Sequence, residues 1–145
     1  MQAYIIPAGA KSLDQLRRVE KPDLRPGPGQ VLIRVRAASL NYRDQMVIAG
    51  TYFRGPVNRD TIPLSDGAGE VIAVGDGVTR FKAGDRVAGT FFQTRPDGPP
   101  TAARASLGGP LDGALSEQMM LYEDGVAALP PDFSFEEGAC LYNPA

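Results

Sequence analysis

The stretch from Asp66 to Val87 constrains the fold more than any other part of the chain. Its sequence is DGAGEVIAVGDGVTRFKAGDRV, in which five residues are glycine and apolar residues recur between the glycines. This spacing indicates strands joined at tight corners rather than a linker. We interpret the stretch as part of a small barrel. Gly67 and Gly69 would permit close backbone approach at a strand start, and Gly75 and Gly77 would form a turn.

The composition favours one β-rich domain. The 145 residues include 17 glycines and 13 prolines, and 43% are hydrophobic, which favours short strands and turns over long helices. Fifteen basic and 17 acidic residues give a net charge of −2 without a basic block, so no nucleic-acid partner is expected.

No run reaches the roughly 20 apolar residues of a membrane helix. The single cysteine, Cys140, allows no internal disulfide, and we expect a cytoplasmic protein that does not bind membranes.

Local patterns predict several strands outside the glycine-rich stretch. Alternation of apolar and charged residues indicates a strand over Val31–Ala38. Shorter apolar segments indicate strands at Gln2–Ile6, Ser116–Tyr122 and Gly125–Leu129.

Two helix starts are also visible. Asn41 is a good N-cap for a helix over Tyr42–Ala49, which Gly50 would end, and Asp44 at its third position suits the positive helix start. Ser134, followed three residues later by a glutamate, is a capping-box pattern for a second helix near the end of the chain.

These segments resemble a known family. The glycine and valine spacing of Asp66–Val87, the sequence SLNYRD at Ser39–Asp44 and the sequence GGPLDGALSE at Gly108–Glu117 resemble the N-terminal, GroES-like catalytic domain of the medium-chain dehydrogenases/reductases, which include alcohol dehydrogenases and quinone reductases. The resemblance implies a mainly β fold with short helices, a GroES-like partly open β-barrel. It assigns residues 1–133 to the catalytic, substrate-binding domain and residues 134–145 to the start of a helix that leads to a Rossmann domain absent from the chain.

The resemblance implies an NAD(P)-dependent oxidoreductase. Its cofactor, NADP(H) or NAD(H), would be bound mainly by the absent domain. The paired glycines at 67, 69, 75 and 77 are no dinucleotide fingerprint, because no third glycine opens a helix within a βαβ unit. The chain alone is therefore expected to be an incomplete, inactive part of an enzyme that is a homodimer at full length.

The resemblance also bears on metal binding. Zinc-dependent relatives hold the catalytic zinc with a cysteine at the first helix start, a histidine just before the acidic-Gly-x-Gly run and a third ligand near the domain junction. These positions hold Asn41, Ser65 and, by a looser alignment, Asn143, and the chain has no histidine. Amides and hydroxyls are poor zinc ligands, so no zinc is expected. Residues 93–113 lack the cysteines of a structural zinc lobe, and we interpret them as a lid over the substrate.

The absence of zinc ligands favours one class of substrate. Without a Lewis acid, negative charge on a simple carbonyl oxygen loses its main stabiliser during hydride attack. An enone or quinone spreads the charge over a conjugated system that hydrogen bonds can satisfy. We therefore expect a zinc-independent reductase of small-molecule carbonyls, enones or quinones.

Two candidate site residues lie at the first helix start. Asn41 is predicted to be catalytic and cofactor-binding, donating from its amide to a substrate oxygen or to the nicotinamide carboxamide; its alternative role is the helix cap, and both can hold at once. Tyr42 is predicted to be catalytic and substrate-binding through its phenol, with packing at the rim as the alternative.

The other candidates stand at the position of the missing histidine ligand. Ser65 is predicted to orient the substrate as a catalytic residue, and Asp66 to bind substrate, although a serine before Asp-Gly is also an ordinary turn residue. Asp44 is expected to be structural, pairing with Arg43, Arg86 or the helix start.

A second hypothesis comes from a different class of protein. The chain could be a stand-alone GroES-like module for binding or assembly, pairing with another subunit through an exposed strand edge. Against this, the sequence reaches Ala145 shortly after a capping box, whereas a free module should end in a finished element.

Overall fold

The computed structural model describes residues 1–52, 54–93 and 105–142. The described elements are seven strands and two short helices, with two brief 3₁₀ turns. In chain order they are β1 (Gln2–Ile5), β2 (Arg17–Glu20), β3 (Gln30–Ser39), α1 (Tyr42–Ile48), β4 (Asp66–Val74), β5 (Arg86–Gly89), β6 (Gln118–Tyr122), β7 (Val126–Ala128) and α2 (Phe135–Gly138). The predicted mainly β fold with short helices is confirmed.

Five of the strands form one antiparallel sheet in the order β6-β3-β4-β5-β7, and β1 pairs with β2 in a separate ribbon. The long strand β3 carries irregularities in its register with β4 after Leu32 and after Val35. Such bulges bend a strand and increase its twist. The sheet therefore curls into the predicted partly open barrel.

The core lies inside this curl and extends beneath α1. The main cluster is formed by alternate residues of β3, β4, β5 and β6 together with side chains from the connections, and its largest fully buried members are Ile33, Leu107, Val31, Val71, Val87 and Val126. A smaller cluster, made of Ile6, Ala10, Val47 and Ile48, packs α1 against the start of the chain. The smaller cluster thus fixes α1 against the segment that follows β1.

Close backbone approach is confirmed at Gly69, whereas Gly67 makes room for the side chain of Ala114. A Cβ atom on Gly69 would lie 2.0 Å from the carbonyl oxygen of Arg34, and one on Gly67 would lie 2.5 Å from the Cβ of Ala114. Gly77 takes a positive φ of 79° at the turn after β4. Residues 78–85 form a connection, and regular strand resumes at Arg86.

The predicted bounds differ from the observed ones by a few residues. Helix α1 ends at Ile48 with Ala49 as its C-cap, one residue earlier than predicted. The sequence analysis missed β2, whose residues are mostly exposed and charged, with only Val19 half-buried. A two-stranded ribbon with little buried surface leaves no alternating pattern to detect.

Helix α2 begins with the capping box predicted at Ser134. Its hydroxyl accepts a hydrogen bond from Glu137 N at 3.1 Å, and the Glu137 carboxylate accepts from Ser134 N at 2.7 Å. Arg86 supports the preceding turn, donating to the carbonyls of Pro131 and Phe133 and lying over the ring of Phe135.

The domain boundary at residue 133 stays a prediction. Neither helix is long and apolar enough to cross a membrane, as far as the structure describes the chain.

We expect Gly69→Ala to lower the free energy of unfolding by about 3 kcal/mol or more, since the new methyl group would overlap the Arg34 carbonyl and separate β3 from β4. Chemical denaturation measures this change. Gly9→Ala is the control: its Cβ meets nothing within 4 Å, so it has only the cost of a positive φ, about 1–2 kcal/mol. Equal losses in the two variants would contradict the proposed steric role of Gly69.

Candidate functional site

The start of α1 meets the start of β4 through a short hydrogen bond between two side chains. Asn41 Nδ2 donates to Asp66 Oδ2 at 2.6 Å and to Ser39 Oγ at 3.3 Å. Ser39 and Asp66 are register partners at the end of the β3–β4 pair. The sheet register therefore sets the position of the acceptors for Asn41.

Asn41 also takes the predicted place at the N-cap of α1. Its backbone N–H donates to Asp44 Oδ2 at 3.0 Å, and its side chain faces the backbone N–H of Asp44, which completes a capping box. The helix-cap role of Asn41 is thus present in the fold. Its catalytic and cofactor-binding roles stay predictions.

Ser65 and Asp66 are buried directly beneath this helix start. Ser65 has no exposed surface and Asp66 is 2% exposed. Ser65 Oγ donates to Asp66 Oδ2 at 3.3 Å, and the Ser65 backbone bonds to Asp44. Asp66 Oδ1 has no hydrogen-bond partner among the described residues. Of the four predicted site residues, Asn41, Ser65 and Asp66 are thus in contact.

Burial dominates the electrostatics of the two carboxyl groups. It raises the pKa of Asp66 from 3.8 to about 6, against the opposing effect of the hydrogen bonds from Asn41 and Ser65. The nearby charge of Asp44 raises the Asp66 pKa further, while Arg43 lowers it. Burial raises the pKa of Asp44 as well, opposed by the Asn41 N–H and by Arg43. The cluster is therefore able to change its charge near neutral pH.

Tyr42 stands apart from the other predicted site residues. It follows Asn41 in the chain, but its side chain is 68% exposed and projects outward from the first turn of α1. Tyr42 is thus next to the cluster in sequence, but its phenol is accessible from solvent. Its predicted substrate role stays a prediction.

The main residue that sequence reasoning missed is Arg43. Of the three partners predicted for Asp44, the structure selects Arg43, with 3.4 Å between Arg43 Nη1 and Asp44 Oδ1, and the helix start; Arg86 lies instead at the turn before α2. Arg43 also donates to Ser106 Oγ at 3.0 Å and to the carbonyl of Gly109 at 2.8 Å. A buried arginine leaves no sequence signal, since arginine is mostly a surface residue.

A cavity of about 380 Å³ opens beside the C-terminal half of α1. Its walls combine apolar surface with a few polar groups, and they include Val47, Tyr52, Arg54, Asn58, Gly109 and Pro110. Small-molecule sites commonly have this size and this mixture. The cavity is the candidate space for a substrate body.

The donor groups of this site do not suit zinc. The positions of the cysteine and histidine ligands hold an amide and a hydroxyl, and both already bond to Asp66. Within residues 1–52, 54–93 and 105–142, no group of three His, Cys, Asp or Glu side chains could hold a metal ion. Asn143 and most of the interpreted lid, residues 94–104, lie outside the described residues.

Comparison with known proteins agrees with this fold. Residues 27–131 match the family described as the alcohol dehydrogenase GroES-like domain. The structure superposes on an NAD-dependent alcohol dehydrogenase with a TM-score of 0.87 and 29% identity, covering 97% of this chain and 43% of that one. These likenesses assign the fold to the N-terminal, GroES-like domain of the medium-chain alcohol dehydrogenases and quinone oxidoreductases.

Two sequence relatives lead to the same family. The chain is 38% identical over 141 residues to a zinc-type alcohol dehydrogenase-like protein of Schizosaccharomyces pombe, covering 95% of this chain and 40% of that protein. It is 41% identical over 120 residues to a quinone oxidoreductase of Pseudomonas aeruginosa, covering 80% of this chain and 30% of that protein. The chain belongs to the alcohol dehydrogenase GroES-like domain family. It spans less than half the length of these relatives.

We expect stability to depend on pH through Asp66. Its folded-state pKa of about 6 exceeds the ordinary value of 3.8, so the native state keeps its proton where the unfolded state loses it. The free energy of unfolding should therefore fall as pH rises through this window, by up to about 3 kcal/mol. Asp66→Asn should reduce this fall to the part that comes from the raised pKa of Asp44, as measured by denaturant unfolding at a series of pH values.

Asp85→Asn is the matched control for this experiment. Hydrogen bonds from Lys82 lower the Asp85 pKa, so its contribution is present at higher pH and is lost only as pH drops below the ordinary range of aspartate. Asp85→Asn should therefore leave the slope above pH of about 5 unchanged. A wild-type slope that Asp66→Asn does not alter would show that Asp66 does not titrate in this window.

Proposed function

We propose that this chain is the catalytic, substrate-binding domain of a zinc-independent, NAD(P)H-dependent oxidoreductase that reduces conjugated carbonyls or quinones by hydride transfer. The observation that carries the proposal is the replacement of the zinc-ligand positions by Asn41 and Ser65, which are hydrogen-bonded to Asp66 in one buried cluster. A site that stabilises charge by hydrogen bonds suits a delocalised acceptor better than a simple ketone.

The cofactor would be held mainly by residues outside this chain. The described five-stranded sheet is antiparallel throughout, so it contains no βαβ unit for a dinucleotide. When bound, NADPH or NADH supplies the hydride. Asn41 is the proposed contact for the nicotinamide carboxamide. The Nδ2 group of Asn41 already donates to Ser39 and Asp66, so it has no donor left for the role expected from the sequence. Asn41 would instead accept a hydrogen bond from the carboxamide N–H through its amide oxygen.

The remaining predicted residues divide by exposure. Tyr42 is exposed, so its phenol is the proposed group that contacts substrate and supplies a proton. Ser65 and Asp66 are buried, and we propose that they act on substrate and cofactor by fixing the orientation of Asn41. The chain alone would lack activity, because half a cleft cannot hold cofactor against substrate at near-attack distance.

The test uses the product of the complete natural reading frame that contains these residues. We expect it to oxidise NADPH or NADH in the presence of 9,10-phenanthrenequinone, at a rate that a zinc chelator does not change. Activity that a chelator abolishes and zinc restores would contradict the zinc-independent mechanism. A complete frame ending at Ala145, with cooperative unfolding and partner binding but no reductase activity, would favour the stand-alone module instead.

Tyr42→Phe in the same protein should lower kcat about 100-fold, since the phenol is the proposed proton donor and a positioned acid contributes 10²–10⁴-fold. Tyr122→Phe is the matched control, because Tyr122 is also exposed but lies on β6. An equal effect, or no effect, in the two variants would remove Tyr42 from the reaction.

Homodimer formation and a cytoplasmic location remain predictions for the full-length enzyme.

A further inference from the structure

The wall of the cavity beside α1 carries a positive charge and no negative one. Ten described residues line the cavity, and they include one arginine, Arg54, and no aspartate or glutamate. The carboxylates that follow the two lining segments, Asp60 and Asp112, lie outside the wall, and Asp112 pairs with Arg59 at 3.2 Å. Because the whole chain has a net charge of −2, the cationic wall is a local feature. A cleft of one sign attracts ligands of the opposite sign.

Two polar groups of this wall are already paired within the protein. Thr61 is 1% exposed, and its hydroxyl donates to the carbonyl of Arg59 at 2.9 Å. The Gly109 carbonyl accepts hydrogen bonds from Arg43 at 2.8 Å and from Ser106 at 2.8 Å. The inner surface left for a ligand is therefore mainly apolar, and it suits the hydrophobic part of a molecule.

The unpaired polarity is concentrated at the entrance. Arg54 and Asn58 both line the cavity and are both exposed, so they stand on its solvent side. A guanidinium group carries five N–H donors, and it can bind a carboxylate through two of them while it also bonds to protein. The amide of Asn58 is a further donor of the same kind. The cavity thus combines an apolar interior with a cationic entrance.

A second cation lies behind the wall. Arg43 is not among the lining residues, but it donates to the carbonyl of Gly109, and its guanidinium carbon lies 5.1 Å from the ring centroid of Tyr52. Tyr52 and Gly109 both line the cavity. Arg43 is partly balanced by Asp44 at 3.4 Å, and its remaining field reaches the cavity through buried protein, where screening is weak. Arg43 therefore adds positive potential without any contact with a ligand.

We propose that the cavity selects substrates that carry an anionic group, and that Arg54 binds this group as a carboxylate. The inference rests on the proposed function and deepens it, because it names the substrate class as conjugated carbonyl compounds with a carboxylate at the far end. The apolar part of the substrate packs against Val47 and Val57, and the carboxylate lies at the entrance with Arg54 and Asn58.

The position of the cavity sets the shape of this substrate. Val47 lies five residues after Tyr42 on α1, which is about 7.5 Å along the helix axis. A molecule that reaches both Tyr42 and the cavity must be elongated, with its conjugated carbonyl and its carboxylate at opposite ends. Arg54 is then a specificity residue that has no contact with the reacting atoms.

The direct test compares para-carboxybenzylideneacetone with its carboxamide, which has the same shape and no charge. Calorimetric titration of the 145-residue chain should show that the acid binds about tenfold more tightly than the amide or better, as for a charge-assisted pair. Arg54→Gln should remove this preference by weakening the acid alone, whereas Arg54→Lys, which keeps the charge, should retain most of it. Equal affinities in the wild type, or no binding of the acid, would overturn the proposal.

Arg36→Gln is the matched control, because it removes an exposed arginine that pairs with Glu70 on the sheet. It should leave both affinities unchanged. Val57→Phe, which fills the cavity, should weaken the acid and the amide alike. A preference that survives in Arg54→Gln, or binding of the acid that Val57→Phe leaves intact, would place the anion elsewhere and overturn the proposal.

A measurement on the wild type alone holds even where a variant does not fold. Since the entrance is exposed, its attraction for an anion should be screened by salt. Raising sodium chloride from about 0.05 M to about 0.5 M should weaken binding of the acid several-fold and leave the amide unchanged. An equal response of the two compounds to salt would contradict the charge-based selection.

The complete enzyme separates this inference from the proposed function. With NADPH or NADH present, Arg54→Gln should raise KM for the acid about tenfold, with kcat for the acid and both constants for the amide nearly unchanged, as expected for loss of uniform binding. Reduction of both compounds with equal KM in the wild type would overturn the role of Arg54 and leave the proposed function standing. Selective binding of the acid without reduction of either compound would overturn the proposed function and leave an anion site at Arg54.

Discussion

The hydrogen bond between Asn41 Nδ2 and Asp66 Oδ2 is the interaction on which the site depends. It joins the first residue before α1 to the first residue of β4 across 25 positions of sequence. Asp66 is buried beside Asp44, an arrangement that disfavours its charge. The donors from Asn41 and Ser65 offset part of that cost. The position of α1 relative to the sheet is thus coupled to the ionisation of one carboxyl group.

The glycines of β4 make this bond geometrically possible. Gly67 and Gly69 lie one and three residues after Asp66. A side chain at Gly67 would overlap Ala114, and one at Gly69 would overlap the Arg34 carbonyl of β3. The absence of these side chains lets β3 and β4 approach closely, so that Ser39 and Asp66 both face Asn41. The glycine pattern that marks the fold in the sequence therefore also positions the chemistry.

Local signals were the ones that could be predicted. The N-cap at Asn41, the capping box at Ser134 and the close approach at Gly69 depend on neighbouring residues or on missing side chains, so the sequence displays them. The proximity of Asn41, Ser65 and Asp66, in which Asn41 and Ser65 both bond to Asp66, was indicated only through family resemblance. The burial and the raised pKa of Asp66 follow from three-dimensional packing, which no local pattern encodes.

The surroundings of Arg43 could not be predicted for the same reason. Its partners Ser106 and Gly109 lie 63 and 66 positions away in sequence, and the flanking rings come from two other connections. An arginine between a tyrosine and an aspartate at a helix start has the pattern of an exposed residue. Only the fold shows that it is enclosed.

The most direct test of this account is a double-mutant cycle on the Asn41–Asp66 bond. The free energies of unfolding of the wild type, Asn41→Ala, Asp66→Ala and the double variant give the coupling energy between the two side chains. The account predicts about 1.5–3 kcal/mol at pH of about 8, where Asp66 is charged, and a smaller value at pH of about 5, where it is protonated. A coupling below about 0.5 kcal/mol at both pH values would contradict it, because the two side chains would then act independently.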